Sequence, residues 1–171
     1  MSPALAGPYL ASVALLGLAG MAKLARPDGT AGALRAARLP SATAVVRAGS
    51  LAEVAVAASA VAAPGPIPAT AVAAAYASFL LFVCVAISKS WPISSCGCFG
   101  RPDTKPTLVH AVLDGAAASC AAGWALTGPS RLPDAFAHQP WAGVPLAAGA
   151  ALVAALAYAA FTYPLPAGRP R

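Results

Sequence analysis

The sequence predicts an all-α protein, an integral membrane bundle of about five transmembrane helices. Of its 171 residues, 59% are apolar and only 9% are charged, whereas a soluble domain carries roughly 25% charged residues. The mean hydropathy is +0.72. The apolar residues also form runs of about 20, which is the length that a helix needs to cross a bilayer.

The first two predicted helices lie in residues 9–22 and 41–63. No Lys or Arg precedes the first run, so it lacks the basic start of a cleaved signal peptide and we expect it to be retained. The second run ends at a proline-rich stretch, residues 64–68, through which a helix cannot continue. Between the two runs, residues 31–39 fit either an interfacial amphipathic helix or a surface loop.

The other three predicted helices lie in residues 69–88, 107–127 and 141–163. The third run carries no charge. Pro106 directly precedes the fourth run, and proline is well tolerated at a helix start. Three aromatic residues of the fifth run are placed as interfacial anchors: Trp141, Tyr158 and Tyr163. The whole chain, residues 1–171, is predicted to be a single membrane domain.

The basic residues predict the orientation of the chain. The segment after the first run contains five Lys and Arg residues, and the loop after the second run contains none. The loops after the third and fourth runs contain three and one, and the segment after the fifth run contains two. Because basic loops lie mainly on the cytoplasmic side, this alternation predicts a multi-pass protein of the cell membrane. Its amino terminus would lie outside, and the loop after the third helix would lie in the cytoplasm. These loops account for the net charge of +6, so nucleic acid is not an expected partner.

Cys96-Gly97-Cys98 lies in the loop between the third and fourth helices. Gly97 tolerates backbone angles that other residues avoid. A disulfide between residues so close in sequence requires such a bend, because the two Cα atoms must come within about 6 Å. Such a bridge is strained, and strained disulfides are labile. Three basic residues of the loop would favour the thiolate. The pair is therefore predicted to be a reversible redox dithiol.

Two alternatives to a redox pair remain open. The thiolates of Cys96 and Cys98 are half of a tetrahedral zinc site and also suit copper(I), with His110 as a possible third ligand. The loop contains no second Cys-x-x-Cys or His pair, so no metal site is assigned. Alternatively, both thiols are loop residues without chemistry.

The remaining cysteines, Cys84 and Cys120, are predicted to fill space among the helices. At 1.5 Å per residue, their depths in the third and fourth helices differ by about 14 Å. That difference forbids a disulfide between them. Of the two, Cys84 lies closer to Cys96.

Two carboxyl groups are predicted to lie within the bilayer, where each needs a partner or water. Glu53 falls near the middle of the second helix, where either structural hydrogen bonding or proton handling would explain it. Asp114 follows His110 by four residues, so the two share one helix face and are candidates for a proton relay to the cysteines. Lys23 and Arg47 are expected to form structural ion pairs or to reach the membrane surface.

Taken in order, these features resemble the methylamine utilisation protein MauE family, within the wider group of DoxX-like small redox-associated membrane proteins. The resemblance covers most of residues 8–127. The residues that carry it are Ala22-Lys23-Leu24 with Pro27, Leu39-Pro40 with Arg47 and Glu53, and Cys96-Gly97-Cys98-Phe99-Gly100.

The resemblance implies a membrane protein that takes part in the maturation of methylamine dehydrogenase by thiol–disulfide exchange, with a thioredoxin-like partner. We expect Cys96 and Cys98 to be the exchanging pair, with Glu53, His110 and Asp114 tuning or relaying protons. The four-helix core is also similar to that of membrane disulfide-forming enzymes that pass electrons to quinone, so quinone is the cofactor that the resemblance implies. Those enzymes generally use a Cys-x-x-Cys pair and further loop cysteines, which this chain lacks.

Two other functions are consistent with the sequence. The protein could be a non-enzymatic membrane assembly factor with structural cysteines, or a metal-handling membrane protein that uses Cys96 and Cys98. The predicted orientation also conflicts with the implied function, because disulfide maturation takes place outside the cytoplasm.

Overall fold

The computed structural model describes residues 5–93, 98, 105–127 and 140–162, and this part of the chain contains helices and no strands. The predicted all-α class is therefore confirmed. A short 3-10 helix, Pro140–Gly143, directly precedes the last α-helix. In chain order the α-helices are α1 (Ala6–Ala25), α2 (Asp28–Ala36), α3 (Thr43–Ala62), α4 (Pro66–Ser88), α5 (Leu108–Thr127) and α6 (Val144–Thr162).

Four helices in the described ranges are long and apolar enough to cross a membrane: α1, α3, α4 and α5. Each has 20 to 23 residues, which matches the thickness of the hydrocarbon core. The protein is therefore a multi-pass membrane protein. Helix α6 is apolar and packs along α1, and its role as a fifth crossing stays a prediction.

The prolines set two of the helix ends differently from the prediction. Helix α1 continues three residues beyond the predicted run and ends at Ala25, because Arg26 precedes Pro27 and takes a non-helical backbone conformation. Helix α4 begins at Pro66, inside the stretch that was expected to separate two helices. Proline fits the first turn of a helix because its missing N–H would have no partner there.

The segment between α1 and α3 is helical, so the surface-loop alternative for it is wrong. Helix α2 begins at Asp28, whose carboxylate suits the positive end of a helix. Its buried residue Ala33 packs with Ala86 near the end of α4 and with Ile93 just beyond it. Helix α2 therefore covers one end of the bundle.

Helix α1 lies at the centre of the bundle, in contact with α3, α5 and α6, while α4 packs mainly on α5. Tyr9 of α1 stacks on Trp124 of α5, with ring centroids 5.0 Å apart. The Tyr76 hydroxyl of α4 donates a 2.8 Å hydrogen bond to the Ser12 carbonyl oxygen. These contacts hold α1 in the interior, and α1 carries a lysine there.

Candidate functional site

Lys23 and Glu53 form a buried ion pair between α1 and α3. The Lys23 ammonium lies 2.5 Å from Glu53 Oε1, and the two side chains are only 7% and 13% exposed. The helices approach closely because Gly20 has no side chain: a Cβ at that position would lie 2.9 Å from the Ser50 carbonyl oxygen. Since isolated charges are costly in a bilayer, the pair gives each group the partner that it needs there.

Lys23 also contacts an aromatic residue outside the predicted site. Its Nζ atom lies 4.9 Å from the centroid of the Phe79 ring, within the range of a cation–π interaction. Tyr76 packs edge-on against the same ring, with centroids 5.9 Å apart. The three-residue spacing of Tyr76 and Phe79 places them on one helix face, which is the sequence signal that could have identified them.

Helix α5 buries two of the predicted site residues, His110 and Asp114, which are 1% and 2% exposed. Asp114 Oδ2 has no hydrogen-bond partner among the described residues. His110 Nδ1 accepts a 3.3 Å hydrogen bond from the Thr107 backbone N–H and lies 2.9 Å from the Thr107 hydroxyl. The imidazole is therefore held at the start of its own helix.

Cys98 is half-buried and lines two cavities in the bundle. The small cavity, about 40 Å³, is bordered also by Lys23, Tyr76 and Asp114. The large cavity, about 330 Å³, lies between α2, α3 and α4 and is bordered also by Lys23 and Glu53. Lys23 and Cys98 line both the small and the large cavity. Cys98 thus lies beside the buried charged groups, whereas Cys96 falls outside the described residues.

The structure gathers Glu53, Asp114 and Cys98 around Lys23. His110 is not among the described residues that line either of the two cavities. The arrangement combines one ammonium, two carboxyl groups and a thiol, which is suited to moving protons at sulfur. In the described ranges, no group of three His, Cys, Asp or Glu residues is placed to hold a metal ion.

The two helical cysteines differ in their surroundings. Cys120 is half-buried and packs against the core, and its thiol lies 3.7 Å from the Leu5 carbonyl oxygen. Cys84 is exposed on α4, so the prediction that it fills interior space is wrong. Both are free thiols, as their predicted depths require. Arg47 is also exposed, and Lys23 is the cation that binds Glu53.

A family model described as methylamine utilisation protein MauE matches residues 1–128. The chain belongs to the MauE family. No curated protein and no solved structure matches the chain.

Membership of the MauE family agrees with the four candidate membrane spans, which all lie within the matched residues. The chain is therefore a membrane protein of a methylamine utilisation family. The matched segment includes Lys23, Glu53, Cys98 and Asp114, whereas α6 lies beyond it. The charged groups and the thiol of the candidate site thus belong to the MauE segment of the chain.

Proposed function

We propose that this MauE-family protein is a membrane thiol–disulfide oxidoreductase in which Cys96 and Cys98 are the exchanging pair. The supporting observation is that Cys98 lines a cavity together with buried Lys23 and Asp114. A thiol that exchanges disulfides must lose and regain a proton, and a nearby cation favours its thiolate. A purely structural thiol would need neither group.

In the proposed reaction, a thioredoxin-like partner is oxidised. One partner thiolate attacks a sulfur of the Cys96–Cys98 disulfide and forms a mixed disulfide, which the second partner thiolate then resolves. The partner leaves with a disulfide, and the two electrons and two protons of its thiols end on Cys96 and Cys98. The oxidised partner would then form disulfides in methylamine dehydrogenase during its maturation, a context that family membership supports.

Glu53, Asp114 and His110 are the proposed proton-handling groups. Glu53 is held by Lys23, and Asp114 lies in the cavity wall beside Cys98. His110 lies one helical turn before Asp114 on the same helix. In this scheme Lys23 orients Glu53 and supplies positive charge beside the thiol.

Quinone is the electron acceptor that the similarity of the four-helix core to membrane disulfide-forming enzymes implies, and the residues of the large cavity fit it. The cavity volume lies at the lower end of the range of ligand sites, about 300–1,000 Å³. Phe79 and Phe82 would hold the ring, and the Lys23 ammonium has three donors, of which Glu53 receives one. When bound, a quinone would supply a sink for two electrons and two protons.

Thiol trapping of the purified protein tests the proposed exchange. The wild-type protein in its disulfide form should oxidise an equimolar amount of a reduced thioredoxin-like protein, and Cys96→Ser or Cys98→Ser should abolish this oxidation. Cys84→Ser is the matched control, because Cys84 is an exposed thiol on α4 outside the site, and it should leave the exchange unchanged.

The same preparations separate the rival functions. A Cys96→Ser variant that supports full maturation of the target enzyme would remove the redox function and favour a non-enzymatic assembly factor. Stoichiometric zinc or copper in the purified protein, lost in the Cys96→Ser variant, would favour a metal-handling protein.

A further inference from the structure

The small cavity has room for water. Its volume of about 40 Å³ exceeds the roughly 10–15 Å³ that one water molecule needs. Most of its wall is apolar, with Leu16 and Phe79 among the lining residues. Water is stable in such a place only where at least two polar groups can bind it. Three polar groups that could do so converge there: Lys23, Cys98 and Asp114.

Asp114 supplies the strongest reason for water in this cavity. Asp114 is only 2% exposed, and its Oδ2 atom has no hydrogen-bond partner among the described residues. A buried polar atom without a hydrogen-bond partner is destabilising, and a charged one is more so. A water molecule between Asp114 and the other polar groups would remove that destabilisation.

The two hydrogen-bond donors next to Asp114, Tyr76 and Lys23, each donate a proton to a group other than Asp114. The Tyr76 hydroxyl, which also borders the cavity, gives its only proton to the Ser12 carbonyl oxygen. Lys23 gives one of its three protons to Glu53. Tyr76 therefore cannot satisfy Asp114 without losing its contact with α1, and water is the available bridge between the carboxyl group and the thiol.

We propose that water in the small cavity carries a proton between the Cys98 thiol and the Asp114 carboxylate. The S–H bond of Cys98 breaks as water accepts the proton, and a second O–H bond of that water breaks as Asp114 accepts one. The products are the Cys98 thiolate, the Asp114 carboxylic acid and an unchanged water molecule. The reverse transfer restores the thiol. The net charge of the cavity is the same before and after.

This assignment selects Asp114 among the three proton-handling candidates of the proposed function, on which it rests. Glu53 is bound by Lys23, and His110 borders neither cavity. The titratable or charged groups facing the cavity are Lys23 from α1 and Tyr76 from α4, with Glu53 of α3 behind Lys23. On α5 itself, His110 lies one turn away. Helix α6 contains no charged residue.

The rate at which iodoacetamide alkylates Cys98, measured against pH, tests the transfer. The protein for this test keeps Cys98 as its only cysteine through Cys84→Ala, Cys96→Ala and Cys120→Ala. If a proton moves internally, the thiol and thiolate forms bind the same total number of protons. The alkylation rate should then change little over the pH range in which Cys98 and Asp114 together hold one proton.

Asp114→Asn removes the internal acceptor, so the proton must leave to bulk solvent. The alkylation rate should then fall about tenfold for each unit of decreasing pH. Asp114→Glu should restore the flat profile. Gly115→Ala is the matched control on α5, because a Cβ there meets only Leu80 at an ordinary 3.7 Å, and it should keep the flat profile.

Two results would overturn the proposal. One is a wild-type rate that already follows bulk pH. The other is an alkylation rate of the Asp114→Asn variant that is higher than the wild-type rate at every pH. Such a rise would mean that the Asp114 carboxylate only disfavours the Cys98 thiolate by repulsion between like charges. If Asp114→Asn does not fold, Ala19→Val narrows the same cavity and should give the steep profile. Alkylation needs no partner protein. A flat profile in the single-cysteine variant, together with a wild-type protein that fails to exchange disulfides, would therefore contradict the proposed function alone.

Discussion

Lys23 faces two carboxyl groups in the bundle but binds only one of them, Glu53. A single ammonium cannot neutralise both, and Asp114 keeps an oxygen without a partner among the described residues. In a bilayer, intramembrane ionisable residues are rare and usually functional. The presence of two carboxyl groups beside one ammonium group supports the proposed role of this site in proton handling.

Lys23→Met should strongly destabilise the protein. It leaves the Glu53 carboxylate buried without a cation, and removal of one partner from a buried pair costs about 3–5 kcal/mol. Thermal unfolding in detergent, followed by circular dichroism, would show the loss as a lower Tm.

The double variant Lys23→Met with Glu53→Gln provides the control. Because it removes both charges, it should recover most of the lost stability. A double variant as unstable as Lys23→Met would mean that Lys23 stabilises the bundle through packing on Phe79 and not through its charge.

At the scale of the helices, the apolar runs predicted four helices to within a few residues, because about 20 consecutive apolar residues have few alternatives to a transmembrane helix. The start of α4 at Pro66 was missed because a proline in the first turn looks like a helix breaker in the sequence. The sequence also could not predict that Lys23, and not Arg47, is the partner of Glu53. It depends on how α1 and α3 cross, which local spacing does not encode.

Gly20→Ala tests that crossing. The added Cβ would lie 2.8 Å from Val54 Cγ2 and 2.9 Å from the Ser50 carbonyl oxygen, and the backbone oxygen can move only with its helix. We expect a loss of about 1–3 kcal/mol, typical of an overpacked interior, measured as a decrease in Tm.

Gly149→Ala, on α6, is the matched control for the Gly20 variant. A Cβ at Gly149 would meet nothing within 4 Å. The same substitution there should therefore be neutral or raise stability by about 0.5–1 kcal/mol, as replacement of a helical glycine does. Equal effects at both positions would show that the close approach of α1 and α3 is not required.

At the scale of the whole molecule, the sequence predicted the helical bundle and identified most residues of the candidate site, but it did not predict how they come together. Glu53, Asp114 and Cys98 come from two helices and a loop, and they meet only because α1 lies between α3 and α5 and carries Lys23. Spacing along the chain predicted the shared face of His110 and Asp114. It could not predict that Asp114 borders the cavity while His110 remains at Thr107, since that difference depends on long-range packing.

The orientation of the bundle decides which compartment the site serves. The distribution of Lys and Arg predicts a cytoplasmic loop between α4 and α5. A membrane-impermeant maleimide applied to intact cells, in a Cys84→Ala/Cys120→Ala background, reports the side and the redox state of Cys96 and Cys98 together. From the charge distribution we expect no labelling until the membrane is permeabilised.

That result would make the thioredoxin-like partner a cytoplasmic protein, and disulfide formation by this pair in an exported enzyme would no longer be tenable. Labelling of intact cells only after reduction would instead reveal an external disulfide. The predicted orientation would then be wrong, and Cys96 and Cys98 would lie outside the cytoplasm, where disulfide maturation takes place. Labelling of intact cells without reduction would show external free thiols, which contradicts both a cytoplasmic loop and a resting disulfide. Because the charge count and the chemistry favour opposite sides, this single labelling pattern tests both.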